Sequence, residues 1–300
     1  MSEIVRAVEQ DWSTVRDEIY RLLGLYPFLR LEKAGKTSMG KELLALRLGG
    51  KRDRYVLYAA AFHGRERISA GVCLRFIERL CRALLTGKEL AGVPVRRVLA
   101  ERGLIALPLV NPDGVDIALH GEKGAGGDGR IRRLCGGHFD RWNANARGVD
   151  INHNFDAGWE DLRKAEEEAG IFGPGPARYG GPRPESETET AALCALCRNH
   201  PVSHVLVLHT QGEVIYWDYG DHTPQKALRM AQVLSASSGY ALDEPSGLAS
   251  HGGFKDWFIR EFHRPGFTVE LGKGVNPLPA SDLDPIYRRV EEMLTLALIL

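Results

Sequence analysis

Short apolar runs recur along this chain, and several of them stop at a polar residue with chemistry of its own. Tyr55 to Phe62, Gly103 to Val110 and Val205 to Leu208 are nearly continuous in apolar residues, the pattern of strands covered on both faces. Phe267-Thr268-Val269-Glu270-Leu271 predicts a further strand that sets an acid between apolar neighbours. The intervening stretches space their apolar residues at helical intervals. They predict helices over residues 11–23, 68–85, 187–199, 224–238 and 253–261, and from about Pro285 to the end. Strands that alternate with helices make one α/β domain over residues 1–300, with a mostly parallel sheet flanked by helices.

The connections add detail. Residues 35–41 form a turn inside a hairpin spanning Leu31 to Leu48, and no helix follows to make it a phosphate loop. Residues 87–97 read as a loop or short helix, and Val214 to Trp217 as a further strand. Asn111-Pro112-Asp113-Gly114 is a turn signal. Two long loops are expected. Gly121 to Gly137 is glycine-rich and carries Arg130, Arg132 and Arg133, either as a solvated insertion or as a basic rim for an acidic substrate. Trp159 to Pro184 holds Gly173-Pro174-Gly175-Pro176, and a loop this long inside a compact domain is usually functional. Ser186 is placed to cap the helix that follows, with Glu187 and Glu189 favourable near its N-terminus.

Composition narrows the class. Of the 300 residues 44% are hydrophobic, enough for a large core, and 39 basic residues balance 39 acidic ones. That balance gives no sign of a nucleic-acid partner. The N-terminus has no apolar segment of the secretory kind, and no stretch is long enough to cross a bilayer. Five cysteines, an odd count, fit a reducing cytoplasm. Cys194-Ala-Leu-Cys197 lies within a helical pattern with no second pair, so its cysteines read as ordinary small buried residues rather than a metal or redox site.

The candidate chemistry lies at the strand ends. His63 and Glu66 occupy the turn between a strand and a helix, His209 ends another strand, and Glu270 lies near the end of a third. In open α/β sheets ligands bind at that edge. Two histidines and a glutamate match a known catalytic zinc set with an open fourth position. Zn²⁺ held this way keeps positive charge, lowers the pKa of its water and polarises a carbonyl. Glu270, desolvated by Phe267, Val269 and Leu271, suits the base that takes the water's proton and hands it to a departing amine. Asp150 is either the carboxylate behind His63 or a loop acid capping backbone N–H groups.

His63-Gly-Arg-Glu66, Asn111-Pro-Asp-Gly114, Gly148-Val-Asp-Ile-Asn152-His153-Asn154-Phe155, His209-Thr-Gln-Gly and Phe267-Thr-Val-Glu270-Leu resemble, in order and approximate spacing, the zinc carboxypeptidase family. The resemblance covers almost the whole chain. It implies an α/β sandwich with a mixed, mostly parallel eight-stranded sheet and a single zinc ion. His63, Glu66 and His209 match the zinc ligands, Glu270 the general base and Asp150 the carboxylate behind the first histidine. Within the family, residues 247–259, 264–272 and 276–279 look like the bacterial γ-D-glutamyl-meso-diaminopimelate peptidases, which act on cell-wall peptides.

Three departures from the family pattern matter. Asn152-His153 stands where digestive members carry Asn-Arg, and a histidine cannot form arginine's bidentate fork on a C-terminal carboxylate. The family's oxyanion arginine follows a tryptophan, but Asn143 follows Trp142 here, which leaves Arg141 and Arg147 as candidates and favours Arg147. The family's mobile tyrosine falls on Leu248, with His251 the nearest substitute. Glu270 and Arg147 are therefore the catalytic candidates, and Asn152, His153, Arg141 and His251 the substrate-binding ones. The expected function is zinc-dependent hydrolysis of the γ-D-glutamyl-meso-diaminopimelate bond in a small muropeptide, in the cytoplasm, with no nucleic-acid or membrane partner. Its rivals are an ordinary C-terminal carboxypeptidase, an acyl-amino-acid deacylase, and a non-catalytic binding protein on the same fold.

Overall fold

The computed structural model describes residues 3–50, 54–244, 247 and 251–300. Helix α1 (Trp12–Leu25) starts at Asp11, whose carboxylate accepts the Thr14 amide, and gives way at Tyr26. Strands β1 (Arg30–Lys36) and β2 (Glu42–Leu48) form the antiparallel hairpin that the sequence implies. Then come β3 (Tyr55–Ala60), α2 (Ile68–Thr86), α3 (Val95–Glu101), β4 (Gly103–Leu107), α4 (Pro112–His120) and α5 (Gly129–Leu134). They are followed by α6 (Trp159–Glu168), α7 (Thr188–Asn199), β5 (Val202–His209), β6 (Val214–Tyr216) and α8 (Lys226–Ser238). The chain continues through β7 (Ala241–Asp243), α9 (Phe254–Phe262), β8 (Gly266–Glu270) and α10 (Leu283–Ala297).

These strands make one eight-stranded mixed sheet in the order β1-β2-β4-β3-β5-β8-β6-β7. The central strands β4, β3, β5 and β8 are parallel to their neighbours within that group, as are β6 and β7 to each other. Antiparallel pairing joins β1 to β2, β2 to β4 and β8 to β6. Successive side chains of a strand point to opposite faces, so the continuous apolar runs divide between two cores. Val56, Tyr58, Ala60, Leu206 and Leu208 pack with α1, α2, α8 and α10 on one face. Leu57, Ala59, Val205 and Val207 pack with α7 and α9 on the other. The register sets Ala60 beside Leu208 and His209 beside Glu270, so the functional ends of β3, β5 and β8 share one edge.

The structure corrects several local expectations. Asn111-Pro-Asp-Gly is more than a turn: Asn111 caps α4, with proline at its first position, where its missing N–H costs nothing. Residues 121–137 are not simply a solvated loop. They contain α5, and Ile117, Ala125, Ile131 and Trp142 close a small core of their own beneath it. The first third of the stretch 159–184 is helix α6, supported by acidic Glu160 and Asp161 in its first turn. Ser186 does not cap α7; Glu187 holds the cap position, and the Ser186 hydroxyl donates to the Glu187 carboxylate. Strand β7, three residues long and without an apolar pattern, leaves no signal in the sequence. The two cysteines of α7 are free and buried in the second core, as are the other three in their own surroundings. Burial raises the thiol pKa of Cys194 and Cys197, which disfavours a thiolate ligand.

Candidate active site

Beyond β3 the chain turns sharply through His63 and Gly64 before α2 begins. A side chain at Gly64 has no room, because an added Cβ would lie 2.4 Å from the Gly114 and Trp142 carbonyl oxygens. The Gly64 amide donates to the Asn143 carbonyl at 3.1 Å. Asn111 locks the same junction: its side-chain amide donates to the carbonyls of Phe62, Asn143 and Ala144. The motif around His63 and the one at Asn111 are therefore one construction, which holds His63 facing the sheet edge.

Three ligand-bearing side chains meet there. His63 Nδ1 lies 2.9 Å from Glu66 Oε1, and His209 Nδ1 lies 2.9 Å from Glu66 Oε2. One donor atom from each of the three lies within 4.8 Å of the others. His63 Nε2 is 3.1 Å from Asp150 Oδ1, and the other Asp150 oxygen accepts the Arg178 amide at 2.9 Å. Asp150 thus faces the His63 ring and also caps the Asn152 amide. Phe62 stacks on the His209 ring at 5.1 Å between centroids.

The donor set fits a zinc ion. His63 has a carboxylate facing each ring nitrogen, whereas a neutral imidazole has a single N–H; a cation at Nδ1 supplies what the second contact lacks. Burial opposes a charged His63 ring, but Glu66 and Asp150 outweigh it and hold its pKa well above the ordinary value. Glu66 and Asp150 are themselves buried, which alone would raise them; the facing histidines prevail and hold both carboxyls low. Carboxylates kept ionised beside two imidazoles are what a divalent cation requires. A second acidic group, Asp11, Asp116 and His120, differs, because the Lys41 ammonium already sits 2.7 Å from Asp116. Replacing Asp150 with asparagine weakens zinc binding by about 10–100-fold, a loss measurable by competition with a chromogenic chelator.

A cavity of about 130 Å³ opens beside this cluster, walled by His63, Glu66, His209, Asn152, His153, Tyr216, Lys255, Asp256, Thr268 and Glu270. Glu270 faces it from the end of β8. Burial raises its carboxyl pKa, the charge of Glu66 adds to the effect, and His63 opposes both. Asn152 turns its side-chain oxygen to the Phe254 amide. His153 engages the Arg178 carbonyl through Nδ1 at 3.0 Å, which leaves Nε2 for a ligand.

The other sequence candidates lie elsewhere. Arg147, expected at the oxyanion, is half exposed, turns its guanidinium to Glu187 at 3.5 Å and is absent from the cavity wall. Arg141 is exposed and also absent from it. His251 sits against Gly158, outside the wall, and Leu248 lies outside the described residues. The basic rim considered for Arg130, Arg132 and Arg133 does not reach the cavity; Arg130 binds the Ala146 carbonyl and Arg132 the Glu122 carboxylate.

Sequence reasoning missed Lys255 and Asp256 as wall residues. Both are almost fully buried, and the Lys255 ammonium contacts the Asp256 carboxylate and the Asp218 carbonyl. Their signal was present: two opposite charges stand inside Phe254-Lys-Asp-Trp-Phe-Ile259, whose other members are all buried and apolar. A charged pair inside an apolar helix start needs a reason to be there.

Comparisons with known proteins bear on the family and the fold. The family model described as zinc carboxypeptidase matches residues 16–293. A γ-D-glutamyl-L-diamino acid endopeptidase 1 of Lysinibacillus sphaericus is 35% identical over 283 residues, which cover 93% of this chain and 69% of that protein. Among solved structures, bovine thrombin-activatable fibrinolysis inhibitor superposes with a TM-score of 0.74 at 18% identity, covering 98% of this chain and 97% of that one. The murein-tripeptide amidase MpaA of Escherichia coli O157 superposes with a TM-score of 0.54 at 18% identity, covering 88% and 91%. With its sheet order, its strand-end cluster and a family match across nearly its full length, the chain belongs to the zinc carboxypeptidases and is a hydrolase of that zinc-dependent metallopeptidase family.

Proposed function

We propose that this protein hydrolyses the γ-D-glutamyl-meso-diaminopimelate amide bond of small peptidoglycan-derived peptides, with His63, Glu66 and His209 holding one zinc ion. Bound there, zinc supplies Lewis acidity: it polarises the amide carbonyl and acidifies water toward neutral pH. Glu270 takes a proton from the attacking water as the new C–O bond forms, then delivers it to the nitrogen as the C–N bond breaks. Asp150 keeps the His63 ring in one tautomer and orientation. We assign no step to Arg147, whose guanidinium is turned to Glu187.

The observation that carries the substrate is the buried Lys255–Asp256 pair in the cavity wall. A side chain that ends in both an ammonium and a carboxylate, as diaminopimelate's does, exchanges with that pair charge for charge. Its carboxylate meets Lys255 and its ammonium meets Asp256. Asn152 and His153, in the same wall, face the other carboxylate. The relative named for cleavage next to a diamino acid points the same way. Five free, buried cysteines support a cytoplasmic setting, and among the described residues no helix is long and apolar enough to cross a membrane.

The test is release of diaminopimelate from a tripeptide ending in it, compared with the same tripeptide ending in lysine, which lacks the second carboxylate. Wild-type protein prefers the first. Lys255→Met loses about 30-fold in kcat/KM on it, the equivalent of about 2 kcal/mol for one partner of a desolvated charge pair, and the preference over lysine collapses. Rapid trimming of ordinary C-terminal residues, with no gain from diaminopimelate, would overturn the assignment.

A further inference from the structure

The sheet edge opposite the active site carries a second cavity, of about 280 Å³, walled by Arg54, Pro201, Ser203, Lys226 and Arg264. Three cations thus converge from three segments. Arg54 precedes β3, Arg264 precedes β8 and Lys226 opens α8, while Pro201 leads into β5. Strand β5 spans from this cavity to His209, eight residues, or about 23 Å at 3.3 Å per residue. The two sites are separate.

What distinguishes this cavity is uncompensated charge. Among the described residues none of Arg54, Lys226 and Arg264 forms an ion pair. Arg264 is anchored by a hydrogen bond from Nη1 to the Val202 carbonyl at 2.5 Å, which fixes its guanidinium at the rim. Arg102 lies within electrostatic reach, but its guanidinium is engaged with main-chain oxygens of Leu298 and Leu300. The first turn of α8 has no acidic residue, so the positive end of its dipole is also unanswered. Partial burial and then Arg54, Arg102 and Arg264 depress the Lys226 pKa. Behind the wall, burial, with Arg102, Lys226 and Arg54 adding to it, lowers the His204 pKa to about 3.

We propose that this cavity binds a small phosphate-bearing molecule, its phosphate oxygens taken by Arg54, Lys226 and Arg264. Guanidinium forks and an ammonium match a phosphate's several acceptors, and a helix N-terminus adds to the same preference. A single carboxylate would leave most of the positive charge unmatched. An extended polyanion is a poor fit, because the cations are confined to one cavity on a chain with 39 basic and 39 acidic residues.

The test titrates the zinc-loaded full chain by calorimetry with inorganic phosphate and with glycerol 3-phosphate at constant ionic strength, with acetate as the comparison. Saturable one-site binding of either phosphate, and none of acetate, is expected; tighter binding of the monoester identifies an organic phosphate as the ligand, and equal or tighter binding of inorganic phosphate identifies the free ion. The double variant Arg54→Ala/Lys226→Ala weakens phosphate at least tenfold and leaves peptide hydrolysis unchanged. If that variant melts early, Lys226→Gln, a single exposed change, is read instead and weakens phosphate at least threefold. Absence of saturable binding overturns the proposal. So does wild-type affinity in the variants, which would place the phosphate elsewhere, such as at the metal.

Discussion

Glu270→Gln retains its zinc and loses about 10²–10⁴-fold in kcat, the contribution of a positioned general base. The amide keeps the size and polarity of the side chain at the end of β8 but accepts no proton. Glu270 lies outside the three-residue cluster that offers metal ligands, so the bound metal is unaffected. The pH profile gives a second signature. Burial and Glu66 raise the Glu270 pKa, while His63, and the metal when bound, pull it down. Only the deprotonated carboxylate accepts the water's proton. Wild-type kcat/KM therefore rises with pH along an acidic limb as Glu270 ionises, and the residual activity of Glu270→Gln lacks that limb. Steady-state hydrolysis alongside atomic-emission zinc analysis reads both effects. Near-wild-type turnover in the variant would remove Glu270 from the chemistry.

Glu66→Ala has the second large effect: it lowers zinc affinity by more than the about 10–100-fold expected for an outer partner such as Asp150, and hydrolysis falls with occupancy. Glu66 is the element that binds the site together. Its two oxygens face His63 Nδ1 and His209 Nδ1, and Oε2 also accepts the Thr210 amide at 3.3 Å. Removing it leaves two imidazoles, one of them buried, without their shared anion. The fold survives, because both cores that flank the sheet are apolar and closed without the site. An unchanged far-UV spectrum with lost metal is the expected result; full zinc occupancy in Glu66→Ala would show that the ligands are others.

Much of this was legible in the sequence because strand burial and strand-end chemistry are both local signals. The runs ending at His63 and His209, and the acid set between Val269 and Leu271, mark the central parallel strands and the edge where they meet. The convergence itself depends on register, with His209 opposite Glu270, which no pattern in either segment encodes alone. Illegible parts failed for physical reasons. Helix α5 is only six residues long and glycine-flanked, and α6 is dominated by charge, so neither shows an apolar run; α5 is covered by residues outside its own segment such as Trp142. Arg147 resembles a catalytic cation by sequence position, yet the carboxylate of Glu187, forty residues away, claims it. Lys255 stands out in sequence as a charge inside an apolar helix start, but only the docking of α9 against the sheet buries it in the cavity wall. For Arg147 and Lys255 the deciding partner lies far along the chain.

The central claim is that one metal ion joins His63, Glu66 and His209 at the edge of the sheet. Anomalous diffraction from zinc-loaded crystals, collected on both sides of the zinc absorption edge, addresses it most directly. A single strong peak about 2.0–2.2 Å from a nitrogen of each histidine and from a Glu66 oxygen, with the Glu270 carboxylate beside it but not bound, is the expected result. A peak at Asp11, Asp116 and His120 instead, or none within reach of His209, would contradict it.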